Sequence, residues 1–144
     1  MGVALTACTV PHVGRPSFDL ADDEIEIGIG IHGEPGRHRR PMGTADEITD
    51  QLLDPVAEDL DLAQGDEVLL FVNGMGGTPE SELYVVYRRA RASLEARGVT
   101  VTRSLVGSYV TSLEMAGASL TVLRLDDELT SLWDAPVHTA ALRW

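Results

Sequence analysis

Lysine is absent from this sequence of 144 residues: all eleven positive charges are arginines, set against twenty-three carboxylates, for a net charge of −12. A phosphate-binding P-loop, whose lysine reaches the β- and γ-phosphates, is thereby excluded. The acidic balance argues against a nucleic-acid partner, which demands a basic face, and against an anionic membrane surface. Cysteine is nearly absent as well. Cys8 is the single one, so no intrachain disulfide forms, and with no signal peptide to read, a cytoplasmic location is expected. Cys8 ends the apolar run from Val3, which suits a buried, inert thiol. No stretch approaches the roughly 20 apolar residues of a membrane span, and there is no internal repeat. What is present is an apolar fraction of 44%, enough for one core in one domain, residues 1–144.

Hydrophobic periodicity divides the chain into alternating strands and helices. A strand is predicted over Val3–Cys8, a loop over Thr9–Phe18, a second strand over Asp22–Ile31 and a long loop over Gly33–Gly43. Thr44 and Glu47 form a capping box that opens a helix running to about Leu60, which Pro55 should kink or split. Asp66–Val72 is a short apolar strand of the kind buried on both faces. The tight turn Asn73–Gly77 leads to a helix capped by Thr78, with Pro79 first, a buried stripe of Leu83, Val86, Tyr87, Ala90 and Leu94, and a stop at Gly98. Strands follow at Val99–Val106 and Ala118–Leu125, then a short helix from Asp126 or Asp127 to Trp133 and a tail. The alternation predicts an α/β fold with a mixed or largely parallel sheet flanked by helices.

The chemically most informative stretch is Glu24-Ile25-Glu26-Ile27-Gly28-Ile29-Gly30-Ile31-His32. Period-two alternation reads as a strand with isoleucines on one face, and glycines on the other face mark close approach by a backbone or a ligand. The run delivers an imidazole into the loop Gly33-Glu34-Pro35-Gly36. Near pH 7 a neutral imidazole is a nucleophile. Glu34 either orients His32 or binds a substrate hydroxyl, or else it satisfies loop backbone donors. Arg37, Arg39 and Arg40 either steer a phosphorylated partner or nucleotide or form a solvated loop. The turn Gly74–Thr78 is a rival anion site, although tight chain reversal with Asn73 and Thr78 as caps explains it too. His12, His32 and His38 match no standard zinc spacing. Trp133 and Trp144 read as packing anchors.

The segment from Gly28 to Gly36 resembles the substrate-histidine motif of the dihydroxyacetone kinases, in the C-terminal half of their substrate-binding K subunit. Four further segments match that family in order: Ala7-Cys8-Thr9-Val10-Pro11; Asn73 to Thr78 with Glu82-Leu83-Tyr84; Gly107-Ser108-Tyr109 with Thr111 to Met115; and Leu132-Trp133-Asp134-Ala135-Pro136. The resemblance implies that His32 attaches dihydroxyacetone, or a related short ketose, as a covalent hemiaminal, with Gly33 and Glu34 beside it. A carbonyl adduct would select ketones and aldehydes over glycerol.

The family's N-terminal half, with its own histidine motif and an aspartate base, has no counterpart here. Neither does the L domain or subunit that holds ATP or ADP with Mg. The resemblance therefore implies a component of a dihydroxyacetone kinase that is incomplete as a catalyst and carries no cofactor itself. Its expected partners are the ketose, the N-terminal half, the L domain and further copies in a homo-oligomer. The abrupt start in a strand fits a fragment with an exposed interdomain face near His32. The alternative is a noncatalytic binding or regulatory module derived from that family.

Overall fold

The computed structural model describes residues 1–31 and 34–144. In chain order the elements are β1 (Gly2–Ala4), β2 (Glu24–Ile27), β3 (His38–Pro41), α1 (Ala45–Asp59), β4 (Glu67–Gly74), α2 (Glu80–Ala96), β5 (Thr100–Gly107), β6 (Gly117–Arg124) and α3 (Asp127–Asp134). Among the described residues, six strands form one sheet in the order β3-β2-β1-β6-β4-β5. Only β4 and β5 pair in parallel; the other four pairings are antiparallel. The parallel pair is the one joined through a helix, α2, which supplies the crossover that parallel strands need. The sheet is therefore mixed, one of the two arrangements predicted.

Alternation along the central strands sorts the side chains onto two faces. Val68, Leu70 and Val72 of β4 join Ala118, Leu120 and Val122 of β6 in the main core. Helix α1 contributes Ile48, Leu52 and Leu53 to it, and α2 contributes Leu83, Ala90 and Leu94. The two helices are also laced together by charge. Asp50 takes a bidentate Arg89 at 2.9 and 2.6 Å and a Ser93 hydroxyl at 3.0 Å. Asp46 pairs with Arg88, and Asp54 with Arg97. Arg89 and Ser93 hold the Asp50 carboxyl below its ordinary pKa despite partial desolvation.

Several local expectations stand and several are corrected. The Thr44–Glu47 capping box forms. Pro55 does not split helix α1, which is one element from Ala45 to Asp59: the proline gives up one backbone bond and crowds the carbonyl four residues back, and the buried stripe Ile48, Leu52, Leu53 and Ala57 holds both sides to the core. The predicted loop 33–43 contains an edge strand, β3, paired with β2. The second strand is shorter than predicted: its ladder stops at Ile27, and Gly28 turns the chain at φ 85°, a conformation that only glycine adopts freely. The first strand likewise ends at Ala4. Thr78 does not cap α2, whose N-cap is Pro79 without a side-chain bond. Its hydroxyl instead donates to the Gly117 carbonyl at 2.8 Å and accepts from the Gly117 N–H at 2.7 Å, clasping β6.

Candidate functional site

On the sheet face opposite α1 and α2, loops assemble a second, smaller core. Ala4 alternates with Val3 and so points away from the main core. It meets Cys8, Ile29, Met75 and Met115, with Phe18 and Ile31 packed alongside. Ala4 ends β1, Cys8 follows it, Met75 follows β4 and Met115 precedes β6, while Ile29 and Ile31 arrive on the loop that leaves β2. Above them lies a cleft of about 560 Å³. Its lining includes Cys8, Phe18, Ile29, Ile31, Met115 and the 111–113 backbone segment, with Glu26, Glu34 and Arg39 as its charged members.

The predicted site residues His32 and Gly33 lie outside the described residues. Their chain neighbours Ile31 and Glu34 both line this cleft. The glycines before them serve the close approach read from the alternation, but the groups that approach belong to the loop itself. A side chain on Gly30 would overlap the Glu34 carboxylate, and one on Gly28 would meet Arg37 at 2.8 Å. Glu34 thus folds back over the strand end toward the cleft.

Glu26, to which the sequence pattern assigns no role, is the buried anchor of this loop. It is 8% exposed. Its carboxylate accepts the Gly36 N–H at 2.6 Å and the Arg39 Nε–H at 3.3 Å. Arg39 also reaches Glu24 at 3.7 Å, so among the three loop arginines it is pinned across the β2–β3 ladder. The available signal was the pair of acids at 24 and 26 within reach of the arginine at 39, a pattern that suits an antiparallel pair.

The opposite wall is equally braced. Asn73 is 2% exposed and uses its whole amide: its oxygen accepts from Tyr109 N at 3.0 Å and Val110 N at 2.8 Å, and its nitrogen donates to the Val110 carbonyl at 2.7 Å and to Ser119 Oγ at 3.4 Å. It is a strut for the 108–110 loop rather than a helix cap. The Glu114 carboxylate accepts the Thr9 N–H at 2.6 Å, tying the two rims together. Its own backbone N–H and Thr9 hold its pKa below the ordinary value. Cys8 lies 3.4 Å from Ser17 Oγ and accepts from Ser112 Oγ at 3.6 Å, in keeping with a buried thiol.

The rival turn at Gly74–Thr78 is filled by protein. Met75 N donates to the Gly117 carbonyl at 3.1 Å, Gly77 N to the Met115 carbonyl at 2.9 Å, and Ser112 N to the Met75 carbonyl at 2.7 Å. Gly76 and Gly77 admit the 111–116 backbone and Gly74 admits Leu83 and the Ser108 hydroxyl, so tight packing rather than anion binding explains them. Among the described residues, no group of three or more His, Cys, Asp and Glu is placed to hold a metal. Trp133 and Trp144 stack on each other with centroids 4.9 Å apart, and Trp144 Nε1 donates to the Trp133 and Ala135 carbonyls at 3.1 and 3.0 Å. They anchor the tail. No helix is long and apolar enough to cross a membrane among the described residues.

Fold and cleft together define a mixed α/β domain whose pocket is built by loops on one face of the sheet. The Dak1 domain model matches residues 1–141, and the chain belongs to that family. It is 45% identical over 168 residues to the dihydroxyacetone-binding subunit DhaK of the PEP-dependent dihydroxyacetone kinase of Escherichia coli, covering all of this chain and 47% of the relative. It is 44% identical over 147 residues to the L-erythrulose 1-kinase of Mycolicibacterium smegmatis, covering 99% of this chain and 26% of the relative. Among solved structures, the dihydroxyacetone kinase operon co-activator Dha-DhaQ superposes with a TM-score of 0.85 at 34% identity, over 94% of this chain and 42% of that one. The chain thus spans less than half the length of these proteins.

Proposed function

We propose that this domain supplies the histidine-bearing half of a ketose-binding site in a kinase of the dihydroxyacetone type. The observation that carries the reading is the Dak1 match over residues 1–141, joined to a cleft lined by both chain neighbours of residues 32–33. In this account a neutral imidazole nitrogen of His32 adds to the C2 carbonyl of dihydroxyacetone or a related short ketose. A C–N bond forms, the carbonyl π pair moves to oxygen, and that oxygen takes up the proton that the imidazole ring gives up. The product is a hemiaminal. Glycerol has no carbonyl and cannot form it, so the chemistry itself selects the substrate class. Gly33 and Glu34, which follow His32 in the chain, are assigned to substrate binding, and Glu34 either orients the imidazole or binds a substrate hydroxyl.

Phosphoryl transfer needs more than this domain. The base is assigned to the segment that makes up the rest of the longer relatives. The nucleotide, ATP or ADP with Mg, is assigned to a separate L domain or subunit, and assembly as a homo-oligomer completes the proposal. The test supplies this chain with the remaining portion of the Escherichia coli subunit and its kinase partners and measures dihydroxyacetone phosphate. No product is expected from the chain alone, and product from the supplemented mixture is expected to vanish with His32→Ala. Undiminished product from that variant would contradict the assignment.

A second reading, a noncatalytic regulatory module, is favoured by the likeness to an operon co-activator. It is distinguished by ketose binding without product under every supplementation.

A further inference from the structure

We infer that Glu26 is a positioning residue for the ketose site, acting on the loop that carries residues 32 and 33. The inference rests on the reading of His32 given above. It starts from how the ten-residue excursion between β2 and β3 is closed. At its base, Arg37 N donates to the Ile27 carbonyl at 2.7 Å. Halfway up, Gly30 N donates to the Glu34 carbonyl at 3.3 Å. Between these two backbone bonds stands a side-chain bond, from Gly36 N to Glu26 Oε1 at 2.6 Å. Short contacts of an N–H to a carboxylate are charge-assisted and stronger than neutral ones.

The surroundings are built for a carboxylate of this length. Glu26 is 8% exposed, and a buried carboxylate must be paired or it is costly. Arg39 Nε supplies the pairing on the second oxygen at 3.3 Å. Gly36 presses on it so closely that an added Cβ would meet Oε1 at 2.8 Å and the Ile27 carbonyl at 2.8 Å. In the ladder Glu26 stands opposite Ala4 of β1 on one side and opposite Arg39 of β3, its ion-pair partner, on the other; its remaining carboxylate oxygen is the one that takes Gly36 N. One carboxylate oxygen thus serves the ladder and the other serves the loop, from the wall of the cleft itself.

An amide of the same shape accepts from Gly36 but turns its NH2 toward the Arg39 guanidinium, so one of the two bonds is lost. An aspartate keeps the charge but falls short of Gly36. Both changes release the C-terminal limb of the loop while leaving the main core untouched, and misplacement of a reacting group by about 1 Å can cost on the order of 100-fold.

The experiment compares the unaltered chain with Glu26→Gln, Glu26→Asp and His32→Ala, each in the supplemented assembly, using dihydroxyacetone labelled with carbon-13 at C2. Adduct is read as the labelled carbon moving from the carbonyl to the saturated region, and amide exchange is read across the chain. The inference predicts about tenfold less adduct for both Glu26 variants. It also predicts faster exchange confined to residues 29–37, with β4, β6 and α2 still protected. Adduct equal to the unaltered chain in both variants would overturn it. So would exchange rising throughout the sheet, which would make Glu26 a general structural residue. Adduct surviving His32→Ala, or absent from the unaltered chain, would strike the reading of the site and take this inference with it.

Discussion

Replacing Gly76 by alanine should be among the most damaging single-methyl changes available outside the main core. Gly76 has φ 125°, and a Cβ there would overlap the Leu113 carbonyl oxygen, with the Leu113 carbonyl carbon at 3.1 Å. Two costs follow. Holding a non-glycine residue in that conformation costs about 1–3 kcal/mol. Lifting the 111–116 segment clear strains or breaks the bonds from Ser112 N to the Met75 carbonyl and from Gly77 N to the Met115 carbonyl, worth about 0.5–1.5 kcal/mol each. The sum is about 4 kcal/mol, which for a domain of this size lowers the melting temperature by about 12 °C. Gly65 is the internal control. Its φ is 96°, yet nothing lies within 4 Å of its absent Cβ, so Gly65→Ala carries only the conformational cost, about 1–3 kcal/mol. Urea unfolding of the two variants side by side measures the difference. A Gly76→Ala loss no greater than that of Gly65→Ala would refute the argument that the turn is glycine-rich because backbone packs onto it.

Other outcomes follow from the same geometry. Leu70→Ala, at a fully buried site in the central strand, should cost about 3–5 kcal/mol in chemical unfolding. Thr78→Val keeps the shape but forfeits both bonds to Gly117 and should cost about 1–3 kcal/mol; a cost under about 0.5 kcal/mol would mean the clasp is idle. Asp50, Glu47, Glu114 and Asp134 all have pKa values held below their ordinary range, chiefly by hydrogen bonds from Arg89, Thr44, backbone and Arg103 respectively. Depressed carboxyl pKa values stabilise the fold above the unfolded values, about pH 4, and that contribution is lost as pH falls through the folded values. The urea midpoint should therefore hold from pH 7 to about pH 5 and fall below about pH 4, with Asp50→Asn showing a shallower fall.

Much of this architecture was legible because helices and buried strands write their environment into residue order. The stripe in α2 and the box at Thr44 are local patterns, and both form. β3 was not legible. His38-Arg39-Arg40-Pro41 is an edge strand with little apolar content, so no alternation marks it, and only its pairing with β2 makes it a strand. Thr78 illustrates a different limit. Its position before a proline and an acidic turn reads as a cap, but the β6 backbone, thirty-nine residues away in sequence, claims its hydroxyl. At the site, the glycine alternation correctly signalled close approach without revealing by what. Glu26 was hidden because a carboxylate on the polar face of a strand looks solvated until β3 and the loop fold over it. The family resemblance reached furthest, since five ordered motifs carry information that no single residue does.

The central claim concerns His32, and carbon-13 NMR of C2-labelled dihydroxyacetone in the supplemented assembly tests it most directly. The account predicts that the carbonyl resonance is replaced, in proportion to protein, by a saturated-carbon resonance that disappears with His32→Ala. A bound ketose that keeps its carbonyl resonance, with affinity unchanged in His32→Ala, would contradict it.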